Sequence, residues 1–556
     1  MFNANFYKYL EHPVSKKVLA CGPKRVLALD GGGVRGALTI GFLEELEAIL
    51  RMRFENTDMV LSDYFDLIGG SSTGAIIATM LSRGYPVAKI KKRYLNLGKI
   101  IFGKKLNILA KSPTKYMLPA EYDESILEEA LADELGTLNL GHQSLRTGLV
   151  IFSKRADTYS LYGFHNHPRN AYYEENKNIL LADLLRASSA APSYFTPKEL
   201  IFENGESGVF IDGGVSGVNN PSLMLFLMAT IKGYGYQWQT GEDNLLLVSI
   251  GTGYHQTKAV KKEKLLKRSM VSWVPDLPDL FMVDATEHNQ MLLQFISNPV
   301  LPETINREVG DLSNDLLTKE PLLTYFRYNA LLEKNNLNTL GMSHTVEEIA
   351  SLRKMENGQN VDRLYQIGAA QAKKMMNKGH LPAVFDFGVF GKNKKILTQK
   401  EAKELFIPYL NAKGKTYAKQ QSIHAYQATK SEKVISITSF GKETKNTAEP
   451  GDYIVTNQTS AKERYVIKQD KFASRYAYVR DLGGKQAEYR ALGKIRAVEL
   501  TAKILQQMNL PPHFEIIADW NEYQYAGKDD FIVCPLDGSE VYRIAKEEFK
   551  ETYVLE

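Results

Sequence analysis

The sequence predicts an α/β protein, with a mostly parallel sheet covered by helices and a smaller C-terminal domain that is α+β or β-rich. Three observations predict it. Apolar strand-like runs end repeatedly in glycine turns that open helical patterns, at Asp30-Gly31-Gly32-Gly33, at Gly69-Gly70-Ser71-Ser72-Thr73-Gly74 and at Gly251-Thr252-Gly253. That rhythm belongs to parallel sheets with helical crossovers. A chain of 556 residues is too long for one hydrophobic core, so two or three domains are expected. Two similar stretches near the C-terminus, starting around Pro450 and Lys528, each read as turn, strand, turn, strand and short helix.

Composition narrows the function classes. Apolar residues make up 44% and charged residues 24%, as in a folded soluble protein. The 69 Lys and Arg against 64 Asp and Glu leave +5, too mild a surplus to imply nucleic acid. Cys21 and Cys534 are the two cysteines, far apart in sequence, so no disulfide framework or thiolate metal site is expected. Met1–Ala20 has no continuous apolar stretch of the signal-peptide kind, and no window of about 18 uncharged apolar residues follows. The expectation is a cytoplasmic protein needing no cofactor and no metal.

In chain order, the strand Val26–Leu29 delivers the loop Asp30-Gly31-Gly32-Gly33-Val34-Arg35-Gly36 to a helix predicted over Ala37–Leu50, where Leu38, Phe42, Leu43, Leu46, Ile49 and Leu50 recur at threes and fours. Such a loop aims backbone N–H groups at one spot, suited to an anion or a developing oxyanion. Gly31, Gly33 and Gly36 also satisfy the G-x-G-x-x-G spacing of dinucleotide sites, but the next strand-like run, Tyr64–Ile68, ends in Gly-Gly-Ser instead of the acidic residue a ribose needs. The loop makes better sense as an oxyanion hole built from Gly31, Gly32, Gly33 and Val34, with Arg35 holding the loop or meeting a phosphate on the substrate.

Gly70-Ser71-Ser72-Thr73-Gly74 reads as a strand, nucleophile, helix elbow with Ser72 as nucleophile. Gly70 and Gly74 flank a turn too tight for neighbouring Cβ atoms. The bland alternative is an ordinary turn in which Ser72 or Thr73 only caps a helix. A helix over Pro86–Leu97 carries Lys89, Lys91, Lys92 and Arg93, and with Lys99, Lys104 and Lys105 forms a basic patch suited to anionic head groups or simply to water. Another helix is predicted over Tyr122–Leu135, then strands over Thr147–Lys154 and Tyr159–Tyr162. His165 and His167 are placed on the rim of a cleft, since no nearby pattern completes a metal site around them. Leu181–Ala191 reads as a helix of small residues ending at Pro192. The strand Val209–Ile211 ends in Asp212-Gly213-Gly214, and a carboxylate at a strand end sits where open sheets place their chemistry. Asp212 is the candidate base for Ser72, and a triad through His255 is the second choice.

Together these motifs resemble the patatin-like phospholipase family over residues 24–380: the Asp30–Gly36 loop, the Gly70–Gly74 elbow, the Ala187–Phe195 helix and proline turn, and Asp212-Gly213-Gly214. The resemblance implies a lipid acyl hydrolase of phospholipase A or lysophospholipase type, working through a Ser72–Asp212 dyad without calcium. Its substrate would be a phospholipid or related acyl lipid, with peripheral contact to a membrane surface. Another esterase or thioesterase on the same machinery is the alternative within this class. A protein acting through its C-terminal part as a binding module is the alternative outside it.

The expected domains are 1–384 for the hydrolase, 385–420 for a linker region and 421–556 for the C-terminal domain. Residues 258–280 mix six cations with Leu265, Leu266, Met270, Val271, Trp273 and Val274, as a helix lying on anionic lipid or on the protein itself would. Helices are expected over Phe281–Ile296, Leu331–Asn336, Val346–Met355, Asn360–Met375 and, more weakly, Glu401–Leu410, with Asn220–Met228 packing on the same hydrolase core. The C-terminal domain resembles a bacterial module marked by a Pro-Gly-Asp-Tyr sequence, here Pro450-Gly451-Asp452-Tyr453, echoed at Lys528-Asp529-Asp530-Phe531. Asp452 and Asp530 are expected as turn residues.

Overall fold

The computed structural model describes residues 12–20, 22–102, 122–192, 194–255, 266, 269, 277–306, 308–377, 379–386, 396–420, 422–438, 441–458, 464–510, 513–517, 523–527 and 529–556. The chain divides into two compact units, one reaching Val18 and continuing over Pro23–Phe385, the other made of Leu19–Gly22 and Asp386–Glu556.

The first unit is built on one sheet. Its strands are β1 (Lys24–Leu29), β2 (Leu67–Ser71), β3 (Gly148–Arg155), β4 (Ser160–His165), β5 (Lys198–Ile201), β6 (Ser207–Asp212), β7 (Leu245–Ile250), β8 (Asn298–Pro299) and β9 (Thr324–Tyr328). They lie in the order β5-β6-β3-β2-β1-β7-β9-β8, with β4 also paired to β3. The run from β3 to β8 is parallel, while β4 and β6 pair antiparallel with β3, and β5 with β6. Every residue of β2, β7 and β9 is buried, as strands covered on both faces must be. Leu29 stands opposite both Gly70 and Ile250, so β1, β2 and β7 end together on one edge of the sheet. That edge carries the glycine loop and the serine elbow.

The helices run close to the sequence expectations, Gly36–Arg53, Val87–Ile101 and Leu277–Ile296 reaching beyond them and Glu124–Leu135 and Val361–Met375 starting slightly later. Two expectations shift. Tyr64 belongs to a helical turn, Leu61–Tyr64, and β2 starts only at Leu67, because Asp63 turns back to accept the Val60 N–H at 2.9 Å and closes that turn. The helix of small residues stops at Ser188, three residues before the expected end.

The second unit contains two five-stranded sheets with one plan. One runs Arg464–Ile467, Tyr453–Asn457, Ile423–Gln427, Gln486–Ala491, Tyr476–Gly483; the other runs Tyr542–Ile544, Phe531–Pro535, Lys494–Glu499, Lys415–Lys419, Tyr553–Leu555. The first sheet uses the contiguous stretch 423–491, while the second takes its fourth strand, Lys415–Lys419, from before that stretch and the others from after it. Tyr453 stacks on Phe472 at 3.8 Å between centroids, and Phe531 on Phe549 also at 3.8 Å. Asp452 and Asp530 are both turn residues, Oδ2 accepting the N–H of Glu449 and of Gly527 at 2.9 Å each, which agrees with the turn role expected for them.

Within the stretch 385–420, read from sequence as a linker region, residues 396–420 form regular structure. Gln399–Lys413 is a helix capped by Thr398, with Ala402, Phe406 and Leu410 buried against Leu505, Phe514 and Ile516, and Lys415–Lys419 is a sheet strand. Its polar surface residues hid an apolar stripe at helical spacing.

Candidate active site

Ser72 lies between β2 and the helix Thr73–Ser82, with φ 52° and ψ −123°. A non-glycine residue in this region is strained, and the surroundings must over-determine it. Gly70 and Gly74 permit the turn, since a Cβ on Gly70 would strike the Gly74 carbonyl and one on Gly74 would strike Leu29 O. The turn is also held from the side. Ser188 Oγ accepts the Ser72 backbone N–H at 2.9 Å and donates to Phe152 O at 2.6 Å, fully buried. Sequence reasoning read residues 187–191 only as part of a helix of small residues and missed this role; the available signal was a serine where alanine would pack equally well. Ser188→Ala is expected to leave two buried backbone groups unpaired, lowering stability by about 1–3 kcal/mol. A urea titration that matched wild type within error would show that the elbow does not need Ser188.

Asp212 arrives by an unexpected route. β6 runs antiparallel to β3 and stops with Asp212 opposite Ser153, beside the Ser71–Phe152 pair that ends β2. Its carboxylate is 4% exposed and fixed at both oxygens: Ser72 Oγ donates to Oδ2 at 2.6 Å, and the Gly214 N–H donates to Oδ1 at 2.7 Å. Burial pushes its pKa up to about 6, with the bonds from Ser72 and Gly214 opposing. A carboxylate so placed is a far better proton acceptor than one in water, and it still ionises at neutral pH.

The glycine loop narrows the proposed donors. Gly31 N–H donates to Asn219 O at 3.0 Å and Val34 N–H to Met355 O at 2.8 Å, so neither is available to a substrate, which corrects the assignment of both to an oxyanion hole. Gly32 and Gly33 remain: no acceptor meets their N–H groups among the described residues, and both line the cavity. Thr252 Oγ1 donates to Gly31 O at 2.8 Å and Tyr94 OH to Gly33 O at 2.6 Å, which fixes the intervening peptides. Tyr94 also bonds Thr73 Oγ1, tying the loop to the nucleophile helix. Arg35 is not among the residues lining the cavity, and its charge acts on Asp30, as a loop-holding role has it.

Ser72, Asp212, Gly32 and Gly33 open onto a cavity of about 690 Å³. Its walls are mainly apolar, with Ile76, Leu97, Ile101, Leu131 and Phe195 among them. The size falls in the range of about 300–1,000 Å³ usual for small-molecule sites.

The histidines take no part. His165 and His167 are buried away from the cavity, packed on Tyr236 with centroids at 5.5 and 4.2 Å, which corrects their placement on a rim. Burial pushes His165 down to about 3. Their alternation with Phe164 and Asn166 gave no clue to which face is dry, because all four positions are buried. His255 is exposed and outside the cavity, and Ser72 Oγ meets Asp212 instead.

The basic helix is partly neutralised. Lys91 pairs with Glu44 at 3.3 Å, Lys99 with Asp362 at 2.6 Å and Arg93 with Glu134. Lys104 and Lys105 lie outside the described residues, as does nearly all of the amphipathic stretch 258–280. Among the described residues, no helix is long and apolar enough to cross a membrane.

A serine on a strained strand-to-helix elbow, a buried carboxylate on its hydroxyl and two unengaged backbone donors beside it are the parts that a serine acyl hydrolase uses. Two regions of the chain match family models. Residues 27–226 match the family model of patatin-like phospholipase and residues 444–553 that of the PGDYG protein, so the chain carries a patatin-like phospholipase domain and a C-terminal PGDYG module. Patatin-17 of Solanum cardiophyllum is 32% identical over 250 residues, covering 41% of this chain and 60% of that protein. A cGAMP-activated phospholipase of Escherichia coli (strain TW11681) is 29% identical over 231 residues, covering 41% and 62%. The chain thus spans about three fifths of the length of these relatives. The crystal structure of VipD from Legionella pneumophila aligns over 62% of this chain and 67% of that one at 12% identity, with a TM-score of 0.26 that carries no weight.

Proposed function

We propose that this protein is a lipid acyl hydrolase that cleaves acyl esters of phospholipids or lysophospholipids through an acyl-enzyme on Ser72. The observation that carries the reading is the 2.6 Å bond from Ser72 Oγ to Asp212 Oδ2 at the base of a largely apolar cavity. Asp212 takes the hydroxyl proton as Ser72 Oγ attacks the ester carbonyl. The Gly32 and Gly33 N–H groups receive the oxyanion, each worth about 3 kcal/mol by comparison with other oxyanion holes. The protonated Asp212 then gives its proton to the departing alkoxide. In the second half, Asp212 activates water, which cleaves the acyl-enzyme and restores the serine. The cavity walls suit an acyl chain by removing its apolar surface from water.

We infer further that residues 1–385 act as the catalytic unit and that the C-terminal unit is a tandem repeat, one copy ending near Gly483 and the other starting near Gln486. The shared strand order, the matched 3.8 Å ring pairs and the equivalent turn aspartates support it.

The test is product analysis by mass spectrometry after incubation with mixed phospholipids, lysophospholipids and acylglycerols in the presence of a calcium chelator. Free fatty acid released by wild type and not by Ser72→Ala is expected, and the depleted lipid names the substrate class. Release of head group or phosphate with intact acyl chains would overturn the reading.

A further inference from the structure

Asp30 heads the glycine loop, yet its carboxylate points away from the cavity into the sheet, where it meets a partner from far along the chain. Arg327 Nη1 donates to Asp30 Oδ1 at 2.9 Å and Nη2 donates to Oδ2 at 2.6 Å, a two-pronged pairing between side chains 5% and 1% exposed. Nη1 also donates to Ser249 Oγ at 2.7 Å. The strand register explains the reach: Ala28 of β1 stands opposite Ser249 of β7, and Ser249 opposite Arg327 of β9. The guanidinium therefore crosses beneath β7 to the residue just beyond the end of β1.

Stability alone does not account for such a pair. Desolvating two full charges costs several kcal/mol per ion, and buried pairs replaced by apolar groups of similar shape are often neutral or better. What the pair provides is geometry. A fork of two parallel N–H bonds fixes a carboxylate in position and in plane, as a single point charge cannot. Asp30 is then held by its side chain and by its N–H on Ile250 O at 3.1 Å, and Gly31 by its N–H on Asn219 O and by Thr252 on its carbonyl. The next two N–H groups along the chain are those of Gly32 and Gly33. The guanidinium also neutralises a carboxylate that would otherwise oppose an oxyanion forming a few residues away.

We propose that Arg327, outside the stretch 27–226 that matches the patatin-like family, is a positioning residue that sets the Gly32 and Gly33 donors through Asp30. The proposal rests on the hydrolase reading above for its effect on rate, but not for its effect on the loop.

The test uses the full chain with three variants: Arg327→Lys, Arg327→Met, and Asp30→Asn combined with Arg327→Met. The double variant leaves no unpaired charge and is expected to melt close to wild type. Its kcat on a soluble p-nitrophenyl ester is expected to fall on the order of 10- to 100-fold with KM unchanged, as for a misplaced oxyanion donor. Arg327→Lys keeps the charge without the fork and should fall nearly as far. Amide hydrogen exchange at Gly32 and Gly33 is expected to quicken on the order of tenfold in the double variant, with the sheet strands unchanged. Wild-type kcat in the double variant or full rescue by lysine would overturn the proposal. So would unaltered exchange in the loop. If wild type hydrolyses no ester, the hydrolase reading fails, and the exchange measurement still decides whether Arg327 sets the loop.

Discussion

Asp212→Asn is expected to abolish hydrolysis and to raise the melting temperature. Both effects follow from one observation, a carboxylate 4% exposed whose pKa burial lifts from 3.8 to about 6. Asparagine cannot accept the Ser72 proton, so kcat is expected to fall on the order of 10⁴-fold, as when other catalytic bases lose their function. The stability sign is opposite. A group whose folded pKa is raised binds its proton more tightly in the native state. Its contribution is therefore fully present below pH 3.8 and is lost as pH rises through about 6. Above pH 6 the ionised group is a burden of up to about 3 kcal/mol, taking about two pKa units at 1.36 kcal/mol each. The asparagine variant is free of it. Thermal melts should show the variant ahead at pH 7 and the two proteins converging as pH falls towards 4. The wild-type kcat/KM should rise with pH through about 6 and level off above it. A rate that falls through this range, or a variant less stable than wild type at pH 7, would remove Asp212 as the base.

Ser72→Ala is expected to lower kcat on the order of 10⁴- to 10⁶-fold, the scale seen when a serine nucleophile is removed elsewhere. Loss of rate alone would not distinguish a nucleophile from a residue that holds the fold, so the backbone gives the control. At φ 52° and ψ −123° a side chain of any kind is strained, and alanine inherits the strain unchanged. Glycine does not. Ser72→Gly should be as inactive as Ser72→Ala while gaining about 1 kcal/mol of stability at this position. A fluorophosphonate probe should label wild type on Ser72 and neither variant. Retained turnover in either variant would transfer the nucleophile elsewhere.

Much of the site was legible because its parts are local. A glycine loop after an apolar strand, a serine between glycines and an aspartate before two glycines each declare themselves within seven residues. What the sequence could not convey is the set of long-range bonds that decide which local groups are free. Gly31 and Val34 resemble Gly32 and Gly33 in the sequence, and only the partners Asn219 and Met355 separate engaged donors from open ones. Ser188 looks like a packing residue until it is seen beneath Ser72. Arg327 lies 297 residues from Asp30, and no spacing rule links them. The direction of β6 was equally hidden, since a strand ending in Asp-Gly-Gly reads alike in either orientation. In the C-terminal unit, apolar positions in Gln399–Lys413 gave a helix, but the polar surface around them read as a connector.

The strand order of the C-terminal unit bears on the order in which the chain can become structured. The sheet containing Ile423–Gln427 waits for Gln486–Ala491, and Lys415–Lys419 has no neighbours until Lys494–Glu499 and Tyr553–Leu555 have been made. The first of the two sheets is therefore complete once Ala491 has been made and the second only at Leu555, whereas the sheet from β1 to β9 is fully encoded by Tyr328. A chain cut short anywhere after Gly483 would carry an intact hydrolase sheet and a tail of unpaired strand edges, which are sticky surfaces for other chains. Lys415–Lys419 is thus clamped between two strands made much later than itself, and Tyr553–Leu555 acts as the closing stitch of that sheet.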